Sequence, residues 1–307
     1  LMRRKNDYKE KENQIAALIY IFFMGFGYPL IRYISTIFQT VNTNALMFLA
    51  GGLLFISVSS FKFKSELLKL KNNFRLFPRL ILIAFLTAGN MYCFVGGLSK
   101  TSALAGSIFG ILSMPFSVII AGIIFLDERE KIKELHFIFG GIIALLGSFI
   151  FVLNGANKSS SSSDFLTGIL LLAGTVIIQA IQSFVVKDTA KHIHSMVISS
   201  CSSILTSILF FTISIFSGNI TELLSASADK IVIVLLTGMY SIFVGMVMTF
   251  FIIQKQGVVV LNVLKLTIPP ATAIIGYLFL HEKISLIQGL GAALVLVGCI
   301  VALRRKK

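Results

Sequence analysis

The sequence predicts an all-α integral membrane protein with ten transmembrane helices arranged as two inverted five-helix repeats. Three observations carry this expectation. The 307 residues are 56% hydrophobic and only 13% charged, with a mean hydropathy of +0.92, well outside the balance of a water-soluble domain. The apolar residues gather into ten runs of 19 to 25 residues, the length a helix needs to cross a hydrocarbon core of about 30 Å. Finally, Pro115, Phe125, Leu126 and Glu128 recur 154 positions later as Pro269, Phe279, Leu280 and Glu282, an offset of half the chain.

In chain order, residues 1–14 form a polar N-terminal segment, assigned to the cytoplasm. The run at 15–38 is too long for a signal-peptide core and lacks a small-residue cleavage site, so it is read as an uncleaved first span. Further runs follow at about 43–61, 80–98, 102–126, 135–154, 165–186, 195–217, 231–253, 257–280 and 284–303. All are read as helices, because a segment in lipid must satisfy its own backbone groups and these exceed the strands of a membrane barrel. The first repeat covers 15–154 and the second 165–303, joined by a Ser-rich external linker at 155–164 and closed by a basic cytoplasmic tail at 304–307. Gly140 and Gly147 follow the first Pro/Glu pair, and Gly291 and Gly298 follow the second with the same spacing. Their offset of 151 leaves three extra residues within 129–134 of the first copy.

Orientation follows from the basic residues. Of the 27 Lys and Arg, 21 fall on segments that alternate to one side, whereas Lys100, Lys158, Lys230 and Lys283 alone mark the other. Both termini are therefore expected in the cytoplasm, with the protein in the cell (inner) membrane. Five spans per repeat is an odd number, so the second copy enters the bilayer upside down. The segment at 61–75, FKFKSELLKLKNNFR, is basic and partly amphipathic. It is read as a topology-setting loop rather than as a helix on the anionic leaflet.

The net charge of +14 does not point to nucleic acid, because the basic residues lie between apolar runs and not on one soluble face. Cys93, Cys201 and Cys299 sit inside apolar runs without CxxC or Cys/His spacing. No disulfide, metal or cofactor is expected.

All 13 Asp and Glu residues lie in loops or at span ends. Against that background Lys265 stands about 4 to 5 Å from the middle of span nine, and Arg32 about 9 Å outward of the middle of span one. A charge at such depth costs about 2.5 to 3.5 kcal/mol on insertion scales, which makes it a functional candidate. The structural alternatives are snorkelling for Arg32 and contact with carbonyls freed by Pro269 and Pro270 for Lys265. Tyr28, Asn90, Gln179, Gln182, Tyr240 and Asn262 are further polar groups inside spans, and Gln179/Gln182 and Asn262/Lys265 each share a helix face. Their common depth points to a polar cavity lined by these six with Lys265 and Arg32. With two cations inside spans and no acidic residue at similar depth, the expected occupant carries a carboxylate or phosphate. Gly106/Gly110 in span four and Gly140/Ala144 in span five are read as packing faces.

The two repeat ends, 115–147 and 269–298, each read Pro, then Phe-Leu-x-Glu, then glycines in the next span. Together with Gly25 and Arg32 in span one, where Met24 replaces the usual tryptophan, they resemble the EamA-type branch of the drug/metabolite transporter superfamily. The likeness covers nearly the whole chain, although the basic residue common in span two of that branch is absent. Asn262 with Lys265 is similar to the span-nine lysine motif of sugar-phosphate and nucleotide-sugar translocators, where the lysine meets the substrate's phosphate. The resemblance implies a solute transporter with a central cavity opened alternately to each side, and structural, helix-capping roles for Glu128 and Glu282.

The function expected is a secondary transporter, an exporter or exchanger, of a small anionic or zwitterionic metabolite such as an amino acid, nucleotide derivative or sugar phosphate. Its partners are that substrate and the lipid bilayer. The alternatives are a membrane-embedded enzyme and a channel or sensor. An enzyme needs a nucleophile, base or metal ligands converging at one depth, and His136, His192, His194 and His281 lie at span ends or in a loop. The absence of acidic residues within spans also argues for exchange or facilitated flow over a carboxylate proton relay.

Overall fold

A computed structural model describes residues 2–72, 76–124, 134–156, 162–190, 192–248 and 264–302, and these are helical almost throughout. The elements are α1 (Met2–Ile34), α2 (Thr40–Lys62), α3 (Lys64–Asn72), α4 (Phe77–Lys100), α5 (Ala103–Ile124), α6 (Leu135–Ala156), α7 (Ser162–Thr189), α8 (Ser195–Phe216), α9 (Ile220–Leu224), α10 (Ala228–Ile242), α11 (Ile268–Leu280) and α12 (Leu286–Ala302). A π-helical segment, Phe243–Met248, continues α10. Among the described residues five helices are long and apolar enough to cross a bilayer: Thr40–Lys62, Phe77–Lys100, Ser163–Val186, Ser195–Phe216 and Ala228–Gly245. Five shorter apolar helices, Leu18–Ile34, Ala103–Ser113, Leu135–Phe151, Leu264–Leu280 and Leu286–Ala302, accompany them. Large apolar side chains such as Leu170, Phe149, Leu290 and Phe279 face outward, as a surface meeting lipid requires.

Some boundaries differ from the sequence reading. The stretch read as a loop at 61–75 contains the nine-residue helix α3, whose leucines sit at helical spacing among lysines. At the edges of the linker expected at 155–164, α6 runs to Ala156 and α7 starts at Ser162, while residues 157–161 lie outside the described residues. The polar N-terminal segment is helical and continuous with the first apolar run. Glu128, Asn262 and residues 303–307 lie outside the described residues.

Small residues set the closest helix contacts. On α6 and α12, Gly140 lies against the backbone of Gly298 and Ala302, while Gly147 lies against Gly291 and Val295. The order of contacts is antiparallel, and a Cβ at any of these glycines would strike backbone. Helices α2 and α8 approach through Gly52 against Ile204. Ser59 and Ser200 join their hydroxyls at 2.6 Å, and Ser207 donates to the Ala45 carbonyl at 3.0 Å. Helices α4 and α7 meet at Gly97 and Gly168, bracketed by the ion pairs Lys100–Asp164 at 2.8 Å and Arg79–Asp188 at 3.3 Å.

Carboxylates close the helix ends. Glu222 accepts from the Gln39 amide at 3.1 Å, at the start of α2, and from Asn42 Nδ2 at 2.6 Å. Glu66 accepts from the His194 amide at 3.4 Å, at the start of α8. Glu282 accepts from the Ala103 amide at 3.0 and 3.2 Å, at the start of α5. Each places a negative group on unpaired N–H groups at the positive end of a helix dipole. Glu282 reaches this position because His281 takes a left-handed conformation, φ 53°, which turns the chain back at the end of α11.

A Cβ at Gly147 would lie 2.7 Å from the Gly291 carbonyl oxygen, whereas one at Gly289 meets open space. Gly147→Val is therefore expected to destabilise the fold by about 1 to 3 kcal/mol, read as a lower melting temperature and a smaller folded yield in detergent. Gly289→Ala should leave both unchanged. Equal melting of the two variants would contradict the close α6–α12 contact.

Candidate functional site

Two adjoining chambers, each of about 280 Å³, lie between α1, α2, α4, α5, α7 and the π-helical segment. They share Met24, Tyr28, Met91, Phe94 and Gly245. One chamber is polar, with Asn90 from α4, Ser107 and Ser113 from α5, Thr175 and Gln179 from α7, and Lys265 just before α11. The other is apolar, with Phe23, Gly27 and Ile31 from α1, Met47 and Phe48 from α2, and Tyr240, Ser241 and Val244 from the α10 end.

Lys265 owes its place to the prolines that follow it. Pro269 and Pro270 have no N–H, so the carbonyls of Lys265 and Leu266 lose their usual partners four residues on. The helix breaks at Thr267, whose amide and hydroxyl both donate to the Leu264 carbonyl, at 3.0 and 2.7 Å. Lys265 is thus delivered into the polar chamber from a broken turn, and its ammonium makes no hydrogen bond or ion pair with a described residue. No contact with the freed carbonyls is formed.

Helix α5, which also lines the polar chamber, passes through Pro115, which has no N–H for the carbonyl of Ile111. Ile111 also lines the polar chamber, and it stands 154 positions before Lys265, the offset that relates Pro115 to Pro269.

Tyr28 divides the chambers. Its hydroxyl occupies the space that a Cβ on Gly110 would take, 2.5 Å from that position, and its ring meets Phe94 edge-on with centroids 5.8 Å apart. Gly110, read from the sequence as part of a packing face, packs against Tyr28 and also lines the polar chamber. Tyr240 lines the apolar chamber and donates its hydroxyl to the Phe23 carbonyl. Asn90 and Gln179 line the polar chamber.

Two other expected residues stand elsewhere. Gln182 is outside both chambers and links α7 to α4, accepting from Asn90 at 3.3 Å and donating to Thr87 at 2.8 Å. Arg32 is also outside both chambers, and lies in the field of the Glu282 carboxylate. The two do not form an ion pair, and Arg32 Nη1 is buried without a hydrogen-bond partner among the described residues. Chain reversal at His281 brings back an acid that a count of span depth places at a helix end. Residues 24, 31, 47, 48, 94 and 245 line the cavity without having been expected, because apolar and glycine positions carry no sequence signal distinguishing cavity from core. The π-helical segment that presents Val244 and Gly245 has no signature in the sequence either, although such interruptions recur at functional sites.

The model of the EamA-like transporter family matches this chain twice, over residues 13–153 and 166–304. The chain belongs to the EamA-like transporter family. It is a multi-pass membrane protein, as its apolar helices require. A Haemophilus influenzae protein described as an uncharacterized transporter is 42% identical over 299 residues, covering 96% of this chain and 98% of that one. An Archaeoglobus fulgidus protein with the same description is 24% identical over 294 residues, covering 95% and 99%. A solved crystal structure that is 15% identical superposes with a TM-score of 0.57 over 95% of this chain and 96% of that one. This last likeness concerns the fold alone.

Proposed function

We propose that this family member is a secondary transporter that moves a small anionic or zwitterionic metabolite across the cell (inner) membrane by alternating access, with both termini in the cytoplasm. The observation that carries this reading is Lys265, a cation facing a cavity inside the membrane without a protein counter-ion among the described residues. A solute anion supplies what the protein omits. The anion pairs with Lys265, flanked by Asn90 and Gln179, while Tyr28 and Tyr240 shape the space beside it. Asn262, one turn before Lys265, is proposed to orient the same group.

The ten apolar runs are proposed to be ten spans in two inverted repeats, and the packing supports this pairing. Helix α1 packs on α11 and α7 on α5; α2 packs on α10 and α8 on α4. Each pair becomes the other when first-repeat and second-repeat helices are exchanged. The glycine contacts obey the same exchange, Gly140 with Gly298 and Gly147 with Gly291. So do the carboxylate caps of α2 and α8. One pair departs from the symmetry: α4 and α7 pack along their length, whereas α1 and α10 touch over a short stretch beside the apolar chamber. Trading these two arrangements is the motion we propose for alternation. Because the described cavity holds no carboxylate, exchange or facilitated flow is favoured over a carboxylate proton relay.

Counterflow in liposomes tests the function. Wild-type protein should accelerate entry of a labelled anion when the same anion is loaded on the other side, which an enzyme or a channel does not do. Lys265→Ala should fold to wild-type yield and lower apparent affinity about 10- to 100-fold, the range for losing a hydrogen bond to a charged group; Lys265→Arg should retain part of it. A well-folded Lys265→Ala protein with wild-type exchange would remove Lys265 from the site. Orientation is tested separately with Ser65→Cys and Ser161→Cys in intact cells. An impermeant thiol reagent should label position 161 and spare 65; the reverse pattern contradicts the assignment.

A further inference from the structure

Resting on the reading of this cavity as the substrate site, we infer that the substrate is a monocarboxylate with an aromatic body and no positive charge. The carboxylate sits at Lys265 and the ring lies beyond Tyr28 in the apolar chamber. Four observations lead there.

The first is charge. Lys265 is the one cationic side chain lining either chamber among the described residues, and no carboxylate lines them. Arg32 is outside both and stands in the field of Glu282. One negative charge therefore balances the cavity. A dianionic phosphate leaves a net charge in a low-dielectric space, and an ammonium on the substrate finds no acid to meet it.

The second is the supply of donors around that charge. The hydroxyls of Ser107, Ser113 and Thr175 donate back to carbonyls of their own helices, at 2.8, 2.6 and 2.6 Å. Their protons are thus already engaged. Beside Lys265 the chamber is lined by the side-chain amides of Asn90 and Gln179, of which Asn90 already donates to Gln182 at 3.3 Å, a sparse set of donors that suits the two oxygens of a carboxylate more than the three of a phosphate.

The third is the second chamber. It continues from the polar one past the Tyr28 and Phe94 rings and is walled by Phe23, Phe48, Met47 and Ile31. The Tyr240 hydroxyl is already bound to the Phe23 carbonyl, which leaves the Ser241 hydroxyl as a single unpartnered polar group on this wall among the described residues. A sugar or other polyhydroxylated body entering here would lose far more hydrogen bonds to water than it regains. The thioethers of Met24, Met47 and Met91 and the edges of the aromatic rings instead offer favourable contacts to a flat ring.

The fourth is size. A cavity of about 150 Å³ holds benzene, so a chamber of about 280 Å³ takes a phenyl ring with a short side chain.

The test is calorimetric titration of the purified protein with phenylacetate, acetate, glucose 6-phosphate and phenylalanine. Phenylacetate is expected to bind at least about tenfold more tightly than acetate, from burial of its ring, and more tightly than the other two. Lys265→Ala should weaken phenylacetate at least about tenfold. Gly27→Leu fills only the apolar chamber, where a Cβ at Gly27 stands 3.8 Å from Tyr240. It should reduce phenylacetate to the affinity of acetate. Failure of phenylacetate to bind, equal binding of glucose 6-phosphate, tighter binding of phenylalanine, or indifference of phenylacetate to both substitutions each overturns the inference. The transporter reading survives any of these as long as counterflow of some anion persists. It falls only when folded protein exchanges none.

Discussion

Everything about the site turns on one ammonium group held inside the membrane without a counter-ion among the described residues. Lys265 lies in a helix-lined cavity, and no described residue bonds to it. A charge so placed is costly to insert, and the fold does nothing local to offset it. The two prolines break the helix beside Lys265, yet the ammonium stays in the chamber and does not turn back onto the freed carbonyls. Under the proposed function, compensation is left to a ligand. Occupancy and stability are thereby linked: whatever enters to neutralise Lys265 stabilises the protein that binds it.

Around that charge the architecture under the proposed repeat is close to symmetric, and function is proposed to lie in the departures from that symmetry. Under the proposed repeat, Ile111 and Lys265 are equivalent positions, and both line the polar chamber. Only one carries charge, so a symmetric frame has an asymmetric site. The carboxylates take a different role. Glu66, Glu222 and Glu282 each sit on the first amides of a helix from another part of the chain, as acids do at the positive ends of helix dipoles. Carboxylates at helix ends thus join helices, whereas the proposed function gives the charge in the cavity to the solute.

Much of the fold was legible because membrane insertion imposes long apolar runs and close helix contacts impose small residues. The apolar helices of the described residues overlap the runs, and Gly140 and Ala144, read as a packing face, lie against Gly298 of α12. The site was only partly legible. Depth along a span can be counted, so Lys265 and Asn90 stood out. Rotation about the span cannot be counted in a helix that is apolar on every side, and Gln182, at the depth of the cavity, turned out to face α4. Tertiary turns are equally invisible: nothing in the sequence near Arg32 announces that His281 brings Glu282 to it. The apolar chamber is built from residues indistinguishable by type from lipid-facing or core residues, so its existence follows from packing alone.

The claim that Lys265 is a binding charge and not a structural prop is tested most directly by the thermal unfolding of Lys265→Met beside the wild type, each with and without phenylacetate. Methionine keeps the length and removes the charge. The account predicts that ligand-free Lys265→Met melts at or above the ligand-free wild type, because an uncompensated desolvated charge has been replaced by an apolar group. Saturating phenylacetate, at about 100 times its dissociation constant, should stabilise the wild type by about 2.7 kcal/mol and Lys265→Met hardly at all. A Lys265→Met protein that melts far below the ligand-free wild type, or one stabilised by phenylacetate as much as the wild type, would contradict it.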